Sequence, residues 1–358
     1  MKKLLALLLS LALVFSLWGC KAEKDSGSKK DGKETEKTEA TGDTEETEDT
    51  QPEDTQPEET APDEPGSNGP SKPVEEKTST PILYQVSDGE GNIVYLFGSI
   101  HVGIDEMYPL PDYVLDAYDE SDALAVECDI IAEAEDEELL MEMLSMMVLT
   151  DGTKITDYIS EECYERAVEI IKENDIYVGA FELYKPILWE SLISNYMTDK
   201  AGTDSDMGVD MYFLTDAYER GKTIYEIESG MEQYTMLANF SMDLQVLLLE
   251  DAVAGYDDPE YCEMLLDMCR AWAAGDEDAL MDEVDEDYSD LTEEELVLLD
   301  EYNTAMEGQR NINMTQYAMD AMASGETVFI VVGAAHVLGD DGMAAALEEA
   351  GYTVTRVQ

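Results

Sequence analysis

The chain is poor in positive charge and has almost no histidine. Its 358 residues carry 20 Lys and Arg against 84 Asp and Glu, a formal net charge of −64. Without a basic stripe to neutralise phosphates, binding to nucleic acid is disfavoured and none is expected as a partner. Direct adhesion to anionic lipid is disfavoured for the same reason. Cysteine is sparse: Cys20, Cys128, Cys163, Cys262 and Cys269 contain no CxxC pair, so neither a zinc finger nor a disulfide scaffold is expected. Cys262 and Cys269 share one helix face, but two turns is about 10 Å, too far for a bridge along a straight helix. Buried free thiols are the expectation. No Gly-x-Ser-x-Gly elbow is present, which removes support for a serine hydrolase.

What the N-terminus has is a targeting pattern. Lys2 and Lys3 precede an apolar run from Leu4 to Leu17, shorter than the roughly 20 residues of a stable membrane span. Leu17-Trp18-Gly19-Cys20 then resembles a lipobox, so residues 1–20 read as a lipoprotein signal peptide with Cys20 as the lipidated residue. Residues 21–80 are Glu, Thr, Asp, Lys, Ser, Pro and Gly. Such a segment cannot offset its ordering entropy and reads as a disordered acidic tether. The expected location is the extracytoplasmic face of a membrane, with contact through the lipid anchor only. Residues 81–358 are left to form the folded domain.

The two histidines stand in matching phrases. Ile93-Val94-Tyr95-Leu96-Phe97 leads into Gly98-Ser99-Ile100-His101, and Val328-Phe329-Ile330-Val331-Val332 leads into Gly333-Ala334-Ala335-His336. Each is an apolar strand, then Gly-x-x-His. Ile82–Val86 and Ile93–Phe97 flank the turn-rich Asp88-Gly89-Glu90-Gly91-Asn92, a hairpin signal. Ala123–Glu127 and Thr223–Ile227 read as short strands, the first ending on Glu127 and the second leading to Glu228. Helical patterns dominate from about Glu133 to Ala323, including Glu137–Met147, a helix begun at Ser160, another opened by Met207-Gly208-Val209-Asp210, and Asp243–Ala254, Glu260–Ala274 and Glu293–Met322. The chain closes with strand Thr327–Val332, helix Met343–Ala350 and strand Thr353–Val357. The expected fold is α/β with a mixed sheet and a helical insertion in the middle.

Glycine permits a turn that a side chain would block, and ligands of open α/β sheets gather at the carboxyl ends of strands. If the two strands are neighbours, both imidazoles face one crevice. Two imidazoles with a carboxylate form a set suited to Mn²⁺, Co²⁺, Zn²⁺ or Fe²⁺. Glu127 is the first candidate for that carboxylate, with Asp210 and Glu228 next. A bound divalent ion would polarise a carbonyl and acidify water, with Glu228 as the expected general base.

These phrases have a familiar order. Tyr95-Leu96-Phe97-Gly98-Ser99-Ile100-His101-Val102-Gly103 is followed by Met107-Tyr108-Pro109-Leu110-Pro111, Ala125-Val126-Glu127, Tyr184-Lys185-Pro186 with Trp189, and Gly208-Val209-Asp210. Gly221-Lys222-Thr223-Ile224, Glu228-Ser229 with Glu232-Gln233, Arg310-Asn311 with Met314, and Val331-Val332-Gly333-Ala334-Ala335-His336 come after. In this order the chain resembles the TraB/GumN family, which includes the Tiki metalloproteases, over roughly residues 81–358. The resemblance implies a core like that of the erythromycin esterase and ChaN-type proteins, with the two Gly-x-x-His loops meeting in one cleft. It implies metal-dependent peptide hydrolysis, with His101 and His336 as ligands or catalytic residues and Glu127 as their carboxylate partner. Lys185 and Arg310 become the basic groups that would bind a substrate carboxylate or oxyanion. The reading is a lipid-anchored metal-dependent hydrolase acting on a peptide or protein. The alternative is a lipoprotein that binds a peptide, metal or haem without chemistry.

Overall fold

The computed structural model describes residues 78–174, 179–282 and 291–358. The expected signal peptide at 1–20, Cys20, and the tether as far as residue 77 lie outside the described residues. Among those described, no helix is long and apolar enough to cross a membrane.

The hairpin forms as the sequence predicts. Strands β1 (Leu83–Ser87) and β2 (Ile93–Ser99) pair antiparallel, with Leu83 opposite Phe97. The Asp88 carboxylate closes the turn by accepting from the amides of Glu90, Gly91 and Asn92 at 2.7, 3.2 and 3.1 Å. Strands β3 (Ala123–Val126), β4 (Thr223–Glu226), β5 (Val328–Gly333) and β6 (Thr353–Val357) complete a six-stranded mixed sheet in the order β4-β3-β5-β2-β1-β6. The first four in that order run parallel, and β1 is antiparallel to both β2 and β6. β3 and β5 are buried almost throughout, as expected of parallel strands covered on both faces, which explains their unbroken apolar runs. The last parallel strand in the chain, β5, thus slots between β2 and β3. That placement brings together strand ends far apart in sequence.

Around the sheet, Phe97 packs edge-on against Phe213 and Trp272 at ring-centroid distances of 5.6 and 5.7 Å. A second apolar core lies in the helical middle, where Trp189, Leu192, Leu244, Leu248 and Tyr302 are buried together. The helix Pro259–Ala274 serves both cores: Tyr261 and Leu265 belong to the helical one, Cys269 and Trp272 to the sheet. Its Trp272 indole donates to the Gly98 carbonyl at 2.8 Å, so the helical layer is tied to the first Gly-x-x-His phrase. Cys128, Cys163, Cys262 and Cys269 are free thiols.

One predicted element is interrupted. Glu293–Met322, expected as a single helix, is a helix over Glu293–Asn303, a π turn over Thr304–Gly308 and a helix over Gln309–Ser324. The wider turn inserts residues into the helical period and changes which face looks inward. Tyr302 and Met306 consequently pack in the helical core, whereas Met314, Ala318 and Met322 pack on the sheet. Gly308 ends the turn at φ −43° and ψ −80°.

Candidate active site

β2 and β5 are paired in parallel with Gly98 opposite Val332 and Ser99 opposite Gly333. Both histidine phrases therefore leave the sheet side by side. A side chain at Gly98 would bring its Cβ to 3.0 Å from the Ala334 Cα, so glycine is what lets the two turns touch.

His101 is buried, and its Nδ1 donates to Asp210 Oδ2 at 2.7 Å. Asp210 Oδ1 accepts from the Ser99 hydroxyl at 2.7 Å. Asp210 stands in the first turn of helix Val209–Arg220, where the helix dipole favours a negative charge. That helix docks on the loop through the Val209 amide, which donates to the Ile100 carbonyl at 3.0 Å. Burial alone would lower the His101 pKa, but the Asp210 carboxylate outweighs it and raises it.

His336 has a different partner. Its Nδ1 lies 2.6 Å from Asn311 Oδ1, and Asn311 Nδ2 donates to the Asp341 carbonyl at 3.0 Å. That second bond fixes which end of the amide faces the ring, so His336 carries its proton on Nδ1 and leaves Nε2 with a bare lone pair. Burial, with Arg310 and His101 adding to it, lowers the His336 pKa to about 4 against the pull of Glu127. Two similar phrases thus hold two imidazoles of opposite tendency, because one faces a carboxylate and the other an amide.

Glu127 lies just beyond β3. Its Oε1 accepts from the Gly333 amide at 2.7 Å and stands 3.8 Å from His336 Nε2. Its Oε2 accepts from Arg310 Nη2 at 2.7 Å and from Gln233 Nε2 at 3.1 Å. Burial opposes ionisation of Glu127, yet the Arg310 guanidinium and the two imidazoles hold its pKa at about 2. Glu228 follows β4, bonded to Glu127 through the backbone, its amide to the Glu127 carbonyl at 2.8 Å. Both Glu228 oxygens lie 3.0 Å from Arg310 Nε, and Gln233 Nε2 reaches Oε2 at 3.3 Å. The third Arg310 nitrogen, Nη1, donates to the Met306 carbonyl at 3.0 Å.

The structure therefore brings His101, His336, Glu127, Glu228, Asp210 and Arg310 into one neighbourhood, and it shows which partner each of them holds. Asp210, expected among the metal ligands, has its oxygens on Ser99 and His101. Glu228, expected as general base, holds Arg310. Arg310, expected to anchor substrate, already donates from each of its three nitrogens to protein groups. Lys185 does not join the cluster: its ammonium donates to the Ala238 carbonyl at 2.7 Å, and its residue caps the helix Pro186–Ala201. Gln233 and Asn311 were not expected. Gln233 is placed by the capping box of Ser229 and Glu232 at the start of helix Gly230–Ala238, a pattern visible in the sequence. Among the described residues no three His, Cys, Asp or Glu side chains are grouped as a ready metal site.

The close approach that supports His101 is testable. A Cβ on Gly208 would lie 2.5 Å from the His101 carbonyl oxygen and 2.9 Å from its carbon, backbone atoms with little room to give. Gly208→Ala is expected to destabilise the fold by about 1–3 kcal/mol and to loosen the His101–Asp210 pair. Urea unfolding together with the nitrogen chemical shifts of the His101 ring checks both effects; wild-type values for each would show that the loop yields freely.

A mixed α/β protein with paired strand-end histidines beside a buried Glu–Arg–Glu cluster is the class that fold and site define. The chain belongs to the TraB/PrgY/gumN family, whose model matches residues 82–356. It is 27% identical over 161 residues to the uncharacterized protein YbaP of Escherichia coli (strain K12), covering 44% of this chain and 56% of the relative. The same identity and coverage hold for the uncharacterized protein YbaP of Shigella flexneri. The chain thus spans about half the length of the curated relatives it matches. No solved structure matches it.

Proposed function

We propose that the chain is a metal-dependent hydrolase of peptides, with His101, His336 and Glu127 around the reacting centre. The observation that carries this reading is the way the two imidazoles are held. Each has Nδ1 committed to a fixed partner, Asp210 or Asn311, the arrangement by which metal-binding histidines are oriented through their other nitrogen. Two Nε2 atoms and a carboxylate suit Mn, Co, Zn or Fe by donor chemistry, with Asp210 and Asn311 as supporting partners and not ligands. When bound, such an ion supplies polarisation of a carbonyl and a more acidic water.

The chain's own residues do the positioning. Asp210 and Ser99 set the ring of His101, and Asn311 sets the tautomer of His336. Arg310 keeps Glu127 ionised, and the Gly333 amide turns its Oε1 toward His336. Glu228 and Gln233 steady Arg310 and Glu127 in turn. His336 stands in a short helix, Ala334–Val337, and not on a loop; a cleft between that helix and the His101 loop, like that of the erythromycin esterase and ChaN-type cores, is part of the same proposal. So is attachment to the extracytoplasmic face of a membrane through a lipid on Cys20, which Cys20→Ser followed by cell fractionation tests.

The function is tested by metal content and peptide cleavage of the purified protein. One equivalent of a divalent transition metal is expected in the wild type, lost in His101→Ala and in His336→Ala, with cleavage abolished by chelator and restored by one preferred metal. If folded wild-type protein takes up no metal under any loading condition, metal dependence is wrong. If it takes up metal and cleaves no peptide of a diverse library, the assignment moves to metal or peptide binding without hydrolysis.

A further inference from the structure

Lys185 stands outside the histidine neighbourhood, yet it holds the helix that reaches into it. Helix Gly230–Ala238 carries Gln233, whose Nε2 donates to Glu127 Oε2 at 3.1 Å and to Glu228 Oε2 at 3.3 Å. Gln233 thus bridges the two carboxylates that Arg310 also bridges. The helix is gripped at both ends. At its start the Gly230 amide donates to Glu133 Oε1 at 2.7 Å, and a Cβ on Gly230 would strike the Glu133 carboxylate. At its close the amides of Asn239 and Phe240 serve the carbonyls of Thr235, Met236 and Leu237. The Lys185 ammonium donates to the Ala238 carbonyl at 2.7 Å. A carboxylate at the first amides and an ammonium at the last carbonyls both suit the helix dipole. Lys185 is itself fixed: its amide donates to the Met147 carbonyl at 2.7 Å, beside the bridge of Val148 with Tyr184.

We infer that Lys185 is a positioning residue for the site, acting through helix Gly230–Ala238 to keep Gln233 between Glu127 and Glu228. Five residues separate Gln233 from Ala238, about 7.5 Å of helix at the usual rise per residue, short enough to pass a displacement from one end to the other. Tyr234, Leu237 and Ala238 are buried in the helical core, so this helix links that core to the ends of β3 and β4. Packing fixes which face of the helix turns inward. The ammonium, bound to a single carbonyl, fixes its position along the axis. Burial lowers the Lys185 pKa, so the cation gives up hydration to make this contact. A displaced Gln233 would leave two buried carboxylates one donor poorer, where a missing partner costs most. Arg310 would then hold both unaided. That the placement of Gln233 serves a reaction rests on the proposed function; the mechanical link does not.

The reporter for a test is the Arg310 Nε–H, which is present in every variant and donates to Glu228. Its proton exchange is followed by nitrogen-edited NMR on the full-length protein without metal or substrate, so the outcome is separate from that of the hydrolase test. Backbone amides of β5 serve as the reference, because they report opening of the fold as a whole. Lys185→Met keeps the aliphatic stem and removes the ammonium. It is expected to speed the Arg310 exchange about tenfold relative to β5, the worth of one hydrogen bond from a charged donor. Gln233→Leu should do the same. The double variant Lys185→Met/Gln233→Leu should exchange no faster than Gln233→Leu alone, because the one residue acts through the other. Lys185→Arg, which restores a cation at the helix end, should return most of the protection. A wild-type rate in Lys185→Met, a rate that rises only in step with β5, or additive effects in the double variant would each overturn the inference. If Lys185→Met does not fold, Lys185→Gln, which keeps a neutral donor, carries the same comparison with a smaller expected change.

Discussion

Arg310→Met is expected to cost the protein about 3–5 kcal/mol of stability, the penalty for leaving buried charges without their partner. The Arg310 side chain is 11% exposed, and those of Glu127 and Glu228 are each 9% exposed. Its guanidinium joins the ends of β3 and β4 to the helix Gln309–Ser324. Methionine fills much of the same volume, so a cavity does not explain the loss; two uncompensated carboxylates do. Lysine is expected to rescue little, because one ammonium cannot reproduce a planar fork that meets Glu228 through Nε and Glu127 through Nη2. The triple variant Arg310→Met/Glu127→Gln/Glu228→Gln should recover much of the stability, since it removes the charges along with their partner. pH supplies a second readout. The folded pKa of Glu127, about 2, lies below its ordinary value of 4.5. Its contribution is therefore present above about 4.5 and lost as pH falls through about 2. Arg310→Met removes that contribution, so the stability difference from wild type should be large at pH 6 and shrink in acid. Urea unfolding at both pH values decides it, and a constant difference of less than about 1 kcal/mol, the worth of a surface pair, would show that the triad does little for the fold.

Local pattern carried the reading of this chain a long way. The hairpin, β3, β5 and the closing helix and strand are short apolar segments bounded by glycine or charge, and they form where the sequence places them. The histidine phrases were legible because each follows such a strand. Their adjacency was not legible in local pattern and followed only from the family resemblance, since it depends on β5 entering between β2 and β3, which is a property of the whole sheet. The interruption at Thr304–Gly308 was hidden because Glu293–Met322 keeps helical composition without proline, and only packing between two cores shifts its phase. The roles of Asp210, Glu228 and Arg310 were blurred for a different reason. Residue type says that a carboxylate can ligate or accept a proton, but its partner decides what it does. Glu127 meets Arg310 across 183 residues of sequence, and no spacing rule reaches that far. Lys185 shows the converse: a phrase carried over by resemblance placed it at the site, whereas Lys185-Pro186 starts a helix with proline in its first turn, as the residues themselves favour.

Glu190→Gln is expected to make the protein more stable than wild type at pH 8 by up to about 3 kcal/mol while changing little at pH 4.5. Glu190 is wholly buried in helix Pro186–Ala201, where it accepts from the hydroxyls of Ser194 at 2.7 Å and Ser191 at 3.2 Å. Asp251, from helix Met242–Gly255, is the carboxylate that acts on it, and Tyr261, from helix Pro259–Ala274, lies within electrostatic reach of both. Burial first, and then Asp251, push the Glu190 pKa from 4.5 up to about 7 against the two serines. A folded value above the unfolded one means that the folded state keeps the proton longer. The stability it contributes is complete below about 4.5 and lost as pH rises through about 7. The step between those values corresponds to roughly 3 kcal/mol. Glutamine keeps the shape and the acceptor oxygen and cannot ionise, so it escapes that loss. Other titrating groups are common to both proteins and cancel in the difference, provided that they lie far enough away to act independently. Asp251 does not meet that condition, which makes Asp251→Asn the natural companion: alone it should lower the pH at which Glu190 ionises and narrow the window. Stability differences that run flat from pH 5 to pH 8 would mean that Glu190 ionises in the folded state as easily as in the unfolded one, and that the helical core tolerates its charge.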